Sequence, residues 1–259
     1  MTDAIERGLF IPNWSLPKGV EARFSGRRFD VAPFNDVSKP PYDEFNLGLH
    51  VGDDPQAVHA NRTQLLASLP GAKHIQWLEQ VHGTEVVEAS NEPFCATADA
   101  CTSNRAGVAC AVMTADCLPV LFCDVSGERV AAAHAGWRGL ANGVLLRTLA
   151  QFDRPADVLV FLGPAIGPTA FEVGPEVRLA FAWATDDCFS TGHGDRYFAD
   201  IYAIARQQLM TAGVQNIEGG DHCTFLEREQ FFSYRRDGVT GRQVSLIWKS
   251  SDATSDLPL

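Results

Sequence analysis

The chain contains no Cys-x-x-Cys pair, no His-x-His pair and no apolar run near the roughly 20 residues that a membrane span requires. It also lacks internal repeats, low-complexity tracts and blocks of like charge. The first twenty residues hold Asp3, Glu6, Arg7, Pro12 and Pro17, with no apolar stretch of signal-peptide length. These absences argue against a membrane protein and a secreted one, and the expectation is a soluble cytoplasmic protein. Positive charge is scarce as well. Lys and Arg number 21 against 32 Asp and Glu, a formal net charge of -11. An acidic surface repels phosphate backbones, so nucleic acid is not an expected partner, although a local cluster of Arg can still hold a small anion.

Seven cysteines are present, at 95, 101, 110, 117, 123, 188 and 223. An odd count in a long chain does not read as a disulfide framework and fits a reducing compartment. Most of these thiols are expected to be small buried apolar groups, Cys123 among them, and none to form a disulfide. With 259 residues and 46% hydrophobic content, the chain can bury a sizeable core. Short apolar runs alternate with helical patterns and no linker intervenes, which predicts one mixed α+β domain over residues 1–259.

The predicted helices are Ala57–Ser68, Leu140–Gln151, Pro175–Trp183 and Asp200–Ala212, the last with Asp200 as its N-cap. The predicted strands are Val108–Met113, Leu118–Cys123, Arg129–Ala133, Val158–Leu162 and Val244–Trp248. A bend at Thr114-Ala115-Asp116 separates the first two. Ser25–Glu44 reads as an irregular excursion, and Tyr234-Arg235-Arg236-Asp237-Gly238 as an exposed hairpin turn.

Three segments look over-specified for packing alone: WLEQVHG (77–83), TADCLPV (114–120) and AHAGWRG (133–139). Each carries one nitrogen or sulfur donor where a short apolar strand meets a turn; strand ends next to small residues suit chemistry, because the strand fixes the side chain and Gly, where present, lets a substrate approach. His82, Cys117 and His134 together are a donor set that suits zinc, and three protein donors leave a fourth position open, as catalysis requires. Taken singly, each His also reads as a hydrogen-bonded structural residue and Cys117 as a core thiol. The spacing of 35 and then 17 residues matches no local zinc-finger pattern. Asp116 beside Cys117 would oppose a free thiolate unless a cation offsets it. Gly136-Trp137-Arg138-Gly139 ahead of a helix is either an anion site with Arg138 as its cation, or a tight turn with Trp137 packed inside. The stretch 163–168 after Leu162 is a substrate loop or a rigid turn.

Longer stretches carry a resemblance. NLGLHVGDDP (46–55), NR (61–62), WLEQVHG (77–83), AVMTADCLPVLFC (111–123), AAAHAGWRGL (131–140), LGPAIGP (162–168), FEVG (171–174) and FFSYRRDGVTGR (231–242) occur in order over about nine-tenths of the chain. They resemble the bacterial purine nucleoside phosphorylase family, formerly called the multicopper polyphenol oxidase or laccase-domain family, whose members are also described as peptidoglycan editing factors. The resemblance implies mixed sheets sandwiched between helices, and a metal held by His82, Cys117 and His134, which are also the catalytic set. It implies zinc as the metal, with copper as a possible occupant, and purine nucleosides plus phosphate as partners. The candidate substrate-binding residues are Asn46, Arg62 and Arg138. One run departs: where the family has S-T-R-x-G-G-V-S, this chain has Phe29 to Ser38, and the family's Arg aligns with Pro33. Arg27 and Arg28 are the nearest alternative cations. The oligomeric state is left open.

Three activity classes follow. The resemblance implies phosphorolysis of adenosine, inosine, guanosine or methylthioadenosine to a base and ribose 1-phosphate, with adenosine deamination as a companion. The alternative is a Cys/His or zinc hydrolase acting on peptidoglycan precursors. A self-contained laccase would need about eight His for its trinuclear copper cluster. This chain has seven in all (50, 59, 74, 82, 134, 193 and 222), which leaves only weak oxidation by copper at the His-Cys-His site.

Overall fold

The computed structural model describes residues 4–6, 8–29, 38–91 and 95–252. Two six-stranded sheets pack face to face, and helices cover both outer faces. In spatial order the first sheet runs Ala4–Glu6, Leu9–Ile11, Val20–Ser25, Gln243–Lys249, Val108–Thr114 and His74–Gln76. Only its last pair is parallel. The second sheet runs Asn216–Gly219, Val158–Leu162, Leu118–Asp124, Val130–Ala135, Ala100–Ser103 and Val86–Glu88. It is parallel at both edges and antiparallel between them. This is the mixed α+β architecture that the alternating pattern indicates.

The central strands are apolar without interruption because both of their faces are covered. Along Val108–Thr114, Val108, Cys110 and Val112 enter the space between the sheets, while Ala109, Ala111 and Met113 pack with Leu65 and Leu69 from and beside the helix Pro55–Ser68. The second sheet divides in the same way. Leu121, Cys123, Val130 and Ala132 face the first sheet, and Leu118, Val120, Phe122, Ala131 and Ala133 face the opposite helices. The period of two in side-chain direction therefore builds three apolar layers from two sheets.

Local signals explain most element ends. Pro55–Ser68 starts two residues earlier than the apolar pattern suggests, because Asp54 caps it through the Gln56 N–H and Pro55 tolerates its first turn. Asp200 caps Ile201–Thr211 by accepting from Ala203 N–H. The predicted helix over 140–151 is two short helices, Trp137–Ala141 and Val144–Leu149, because Gly143 between them sits at φ 90°. The predicted hairpin turn at 234–238 is instead the single-turn helix Tyr234–Asp237. Ser233 caps it by accepting from Arg236 N–H, and the carboxylate of Asp116 accepts from Arg235 N–H in its first turn. Asp237-Gly238 then ends a helix, with Gly238 at φ 70°. All seven cysteines are free, and Cys123 is buried as expected. The run from 30 to 37, including Pro33, lies outside the described residues.

Candidate metal centre

The site forms where the two sheets exchange the chain. Val108–Thr114 belongs to the first sheet and Leu118–Asp124 to the second, so the intervening segment crosses from one to the other. Asp116 makes the crossing in a left-handed conformation, φ 99°. Its carboxylate accepts from the Thr224 hydroxyl (2.7 Å) and Arg235 N–H (2.6 Å), so its charge is engaged by other loops as Cys117 turns into the pocket. His134 lies near the end of Val130–Ala135, in register with Pro119 on the adjacent strand. His82 sits in the loop after Leu78–Glu79 at φ 60°. The donor atoms of His82, Cys117 and His134 all lie within 4.8 Å of one another. Cys117 Sγ is 3.8 Å from His82 Nε2, and the two imidazoles meet edge to face at 4.8 Å and 76°.

A tetrahedral zinc with bonds of about 2.0–2.3 Å holds its donors about 3.3–3.7 Å apart, so this set fits with a small contraction. Asp99 organises it. Its carboxylate, fully buried, accepts from the backbone N–H groups of Val81 (3.2 Å), His82 (2.9 Å) and Gly83 (2.6 Å). The same carboxylate is 2.8 Å from His134 Nδ1, and the Asp99 carbonyl accepts from His134 N–H. This fixes the ring and leaves Nε2 as the metal donor, the carboxylate–histidine arrangement common behind zinc. Gly136 completes the cradle. A Cβ there would stand 2.8 Å from His82 Cδ2 and 3.1 Å from Cys117 Sγ, so only glycine lets the chain pass.

Electrostatics in the metal-free centre run as a thiolate–imidazolium pair. Burial works to raise the Cys117 thiol, but the adjacent His134 and His82 override it and bring the pKa down to about 6. Burial works to lower His134, and the Cys117 thiolate and Asp99 carboxylate lift it to about 9. For Asp99, burial pushes the pKa up, but its bonds to His134 and the loop amides win and hold it below the usual carboxylate value.

His134 is buried, Cys117 half-buried and His82 exposed, so the centre is open on one side. It opens into a cavity of about 390 Å³ whose other walls include His50, Gln80, Met113, Tyr234 and Arg242. Gln80 clamps the wall with both ends of its amide, accepting from Met113 N–H and donating to Met113 C=O (2.8 Å each). Sequence reasoning singled out neither Asp99 nor Arg242, although Arg242 closes the FFSYRRDGVTGR stretch.

The expected substrate residues lie elsewhere around this cavity. Asn46 is fully buried. Its side chain accepts from Gly48 N–H and Arg242 N–H and donates to Asp53. The Arg62 guanidinium stacks 3.8 Å over the Trp77 ring, donates to Leu47 C=O, and reaches Met113 Sδ at 3.5 Å. Arg138 is exposed, 4.3 Å over the ring of its neighbour Trp137. None of these three is among the residues that line the cavity. Arg27 and Arg28, the cations nearest the departing run, pair with Asp43 (3.5 Å) and Glu229 (2.9 Å).

Fold and site together define an α+β protein with a three-donor His-Cys-His group that could hold a metal, open to a cavity of small-molecule size. Residues 33–250 match the family model described as multi-copper polyphenol oxidoreductase laccase, and the chain belongs to that family. It is 54% identical over 245 residues to the Shigella flexneri protein named purine nucleoside phosphorylase YfiH, covering 93% of this chain and 98% of that one. A Pseudomonas aeruginosa purine nucleoside phosphorylase is 50% identical over 242 residues, covering 92% and 96%. Among solved structures, a Neisseria meningitidis protein superimposes with a TM-score of 0.86 at 45% identity, covering 94% of this chain and all of that one. YlmD from Geobacillus stearothermophilus follows with 0.85 at 30%, covering 96% and 99%.

Proposed function

We propose that the chain is a zinc-dependent purine nucleoside phosphorylase that also deaminates adenosine, working in the cytoplasm on small-molecule nucleosides and phosphate. The observation that carries this reading is the convergence of His82, Cys117 and His134 at the wall of the 390 Å³ cavity, with one side open to a ligand. The relatives' names supply the substrate class. In phosphorolysis a phosphate oxygen bonds to C1′ of the ribose and the C1′–N9 bond breaks. Its electron pair leaves with the purine, which takes up a proton. His82, Cys117 and His134 would hold a zinc ion, which would supply Lewis acidity to the cavity. The chain's own residues do the remaining work. Asp99 holds His134 in one tautomer, Gln80 fixes the Met113 wall, and Arg62 supports that wall from behind. Asn46 positions Arg242 through its backbone. No helix among the described residues is long and apolar enough to cross a membrane.

Copper remains an occupant to be tested, because it outcompetes zinc at most such donor sets. The histidines do not assemble a copper cluster: among the described residues, only His82 and His134 join a three-donor group. A metal-free Cys hydrolase has one observation in its favour, the Cys117 thiol brought down to about 6 beside His134. The decisive experiment is elemental analysis of purified protein, followed by product analysis with adenosine plus and minus phosphate. Cys117→Ala is expected to lose zinc and to lower base release and deamination together by several orders of magnitude, about 4 kcal/mol or more of barrier. Full turnover by a folded Cys117→Ala protein overturns the metal-centred reading. Full activity of chelator-stripped wild type, with Cys117→Ala inactive, points to the Cys hydrolase.

A further inference from the structure

We propose that Arg242 is the anion-binding residue of this cavity, holding inorganic phosphate in the space it shares with the His82–Cys117–His134 centre. The inference rests on the phosphorolytic reading above and names the residue that would bind its second substrate.

The first observation is an unpaired cation. Arg242 Nη1 donates to the carbonyls of Thr240 and Gly241, at 3.1 and 3.0 Å. Among the described residues its Nε and Nη2 have no hydrogen-bond partner and no carboxylate lies within ion-pair distance; Cys117 and Asp116 act on it only at longer range. Arg27, Arg28, Arg178 and Arg236 each meet one. A half-buried guanidinium with no carboxylate in contact is costly unless an anion arrives to meet its free N–H groups.

The second is the composition of the walls. Among the described residues no Asp or Glu lines the cavity, in a chain whose acidic residues outnumber its basic ones by 32 to 21. Arg62 adds a second positive charge behind the Met113 wall, and it too lacks a carboxylate partner among the described residues. Loading the centre strengthens the demand. A divalent zinc on one thiolate and two neutral imidazoles would carry a net charge of +1 and neutralise the Cys117 thiolate, leaving Asp116, already engaged by Thr224 and Arg235, as the other negative group acting on Arg242.

The third is that the Arg242 position is built. Asn46 Oδ1 accepts from both Gly48 N–H and Arg242 N–H, at 2.9 Å each. A Cβ on Gly48 would lie 2.8 Å from Arg242 Cγ, so glycine at 48 is what lets the arginine stem lie where it does. The guanidinium lies 6.0 Å from the Tyr234 ring centroid, and both residues line the cavity with His82. His50 lines the same cavity. Burial, with Arg242 and Arg62 nearby, favours its neutral form, which leaves an N–H for a phosphate oxygen.

The test uses zinc-loaded wild type, Arg242→Gln and Arg242→Lys. Calorimetric titration with inorganic phosphate gives Kd, steady-state assays give KM for phosphate and for adenosine, and elemental analysis gives zinc content. Arg242→Gln is expected to weaken phosphate Kd and raise phosphate KM by about 10- to 100-fold, the loss of a charged hydrogen-bond donor. The adenosine KM and the zinc content stay close to wild type. Arg242→Lys recovers part of the loss through its charge without the fork. Should Arg242→Gln misfold, Gly48→Ala displaces the arginine stem and is expected to weaken phosphate binding in the same direction. Unchanged phosphate Kd and KM in Arg242→Gln overturn the assignment, and so does a loss that appears in Arg138→Gln instead. If wild type cleaves no purine nucleoside at any phosphate concentration, the phosphorolytic reading fails, while the calorimetric comparison still decides whether Arg242 binds the anion.

Discussion

Cys117 is set apart from the thiols at 95, 110, 123 and 188 by its two imidazole neighbours. Cys123 is pushed up to about 12 by burial and the adjacent Asp124, and burial also raises Cys95, Cys110 and Cys188. Cys117 is brought down to about 6 because His134 and His82 outweigh its burial. A thiolate is the reactive form, so chelator-treated protein should alkylate first at Cys117. The sign is that of a lowered pKa: the rate is at its plateau above the midpoint and falls as pH drops through about 6. Mass-spectrometric mapping of iodoacetamide labelling from pH 5 to 9 checks this, and added zinc should protect the residue. A midpoint near 9, or first labelling at buried Cys123, contradicts it. At this scale the three donors were legible, since each stood beside Gly or a turn at a strand end. Asp99 was not. Its function is to receive the N–H groups of 81–83 and the ring of His134, contacts made across 16 to 35 residues of chain that leave no local signature. Arg242 was hidden for a related reason: what marks it is the lack of a carboxylate partner among the described residues, and pairing is a property of the fold.

Elements place these groups through backbone conformation. The strands over 108–114, 118–124 and 158–162 were legible because two covered faces leave unbroken apolar runs. What the runs did not show is that the first belongs to one sheet and the second to the other. The bend at 114–116 is therefore a crossing between layers, and the donor Cys117 sits on it. The short edge strands were missed, since two to four residues carry no measurable period. The turn at 136–139 illustrates how tight the fit is. Gly136 precedes the helix Trp137–Ala141 and touches two of the three donors. Gly136→Ala should therefore disturb the centre more than the fold. The new methyl group displaces His82, whose loop is exposed, and zinc affinity is expected to fall about 10- to 100-fold, as for loss of a supporting contact behind a metal. Competition with a chromophoric chelator measures it. Wild-type affinity in Gly136→Ala would mean that the 82 loop yields without cost.

On the scale of the whole molecule, the three donors tie together parts that packing already holds. His134 belongs to the second sheet, Cys117 to the crossing from the first, and His82 to a loop that leads into the second sheet's edge strand Val86–Glu88 and is fastened by Asp99. The apolar layers are complete without a metal: Trp248, Phe24 and Phe122 are fully buried in three separate clusters. This differs from a zinc finger, in which the metal replaces a core. Zinc should thus stabilise the native state by mass action without being needed for folding. At free zinc about 100 times its Kd, the gain is about 2.7 kcal/mol. For a chain of this size, about 2–4 °C of Tm accompanies each kcal/mol, so a rise of about 5–10 °C is expected. Thermal unfolding followed by circular dichroism, with and without chelator, tests this. Chelated wild type should keep its native spectrum at 25 °C and melt lower. Cys117→Ala should melt at one temperature whether or not zinc is present. Loss of the folded spectrum on chelation would mean that the centre, and not the two-sheet core, holds the molecule together.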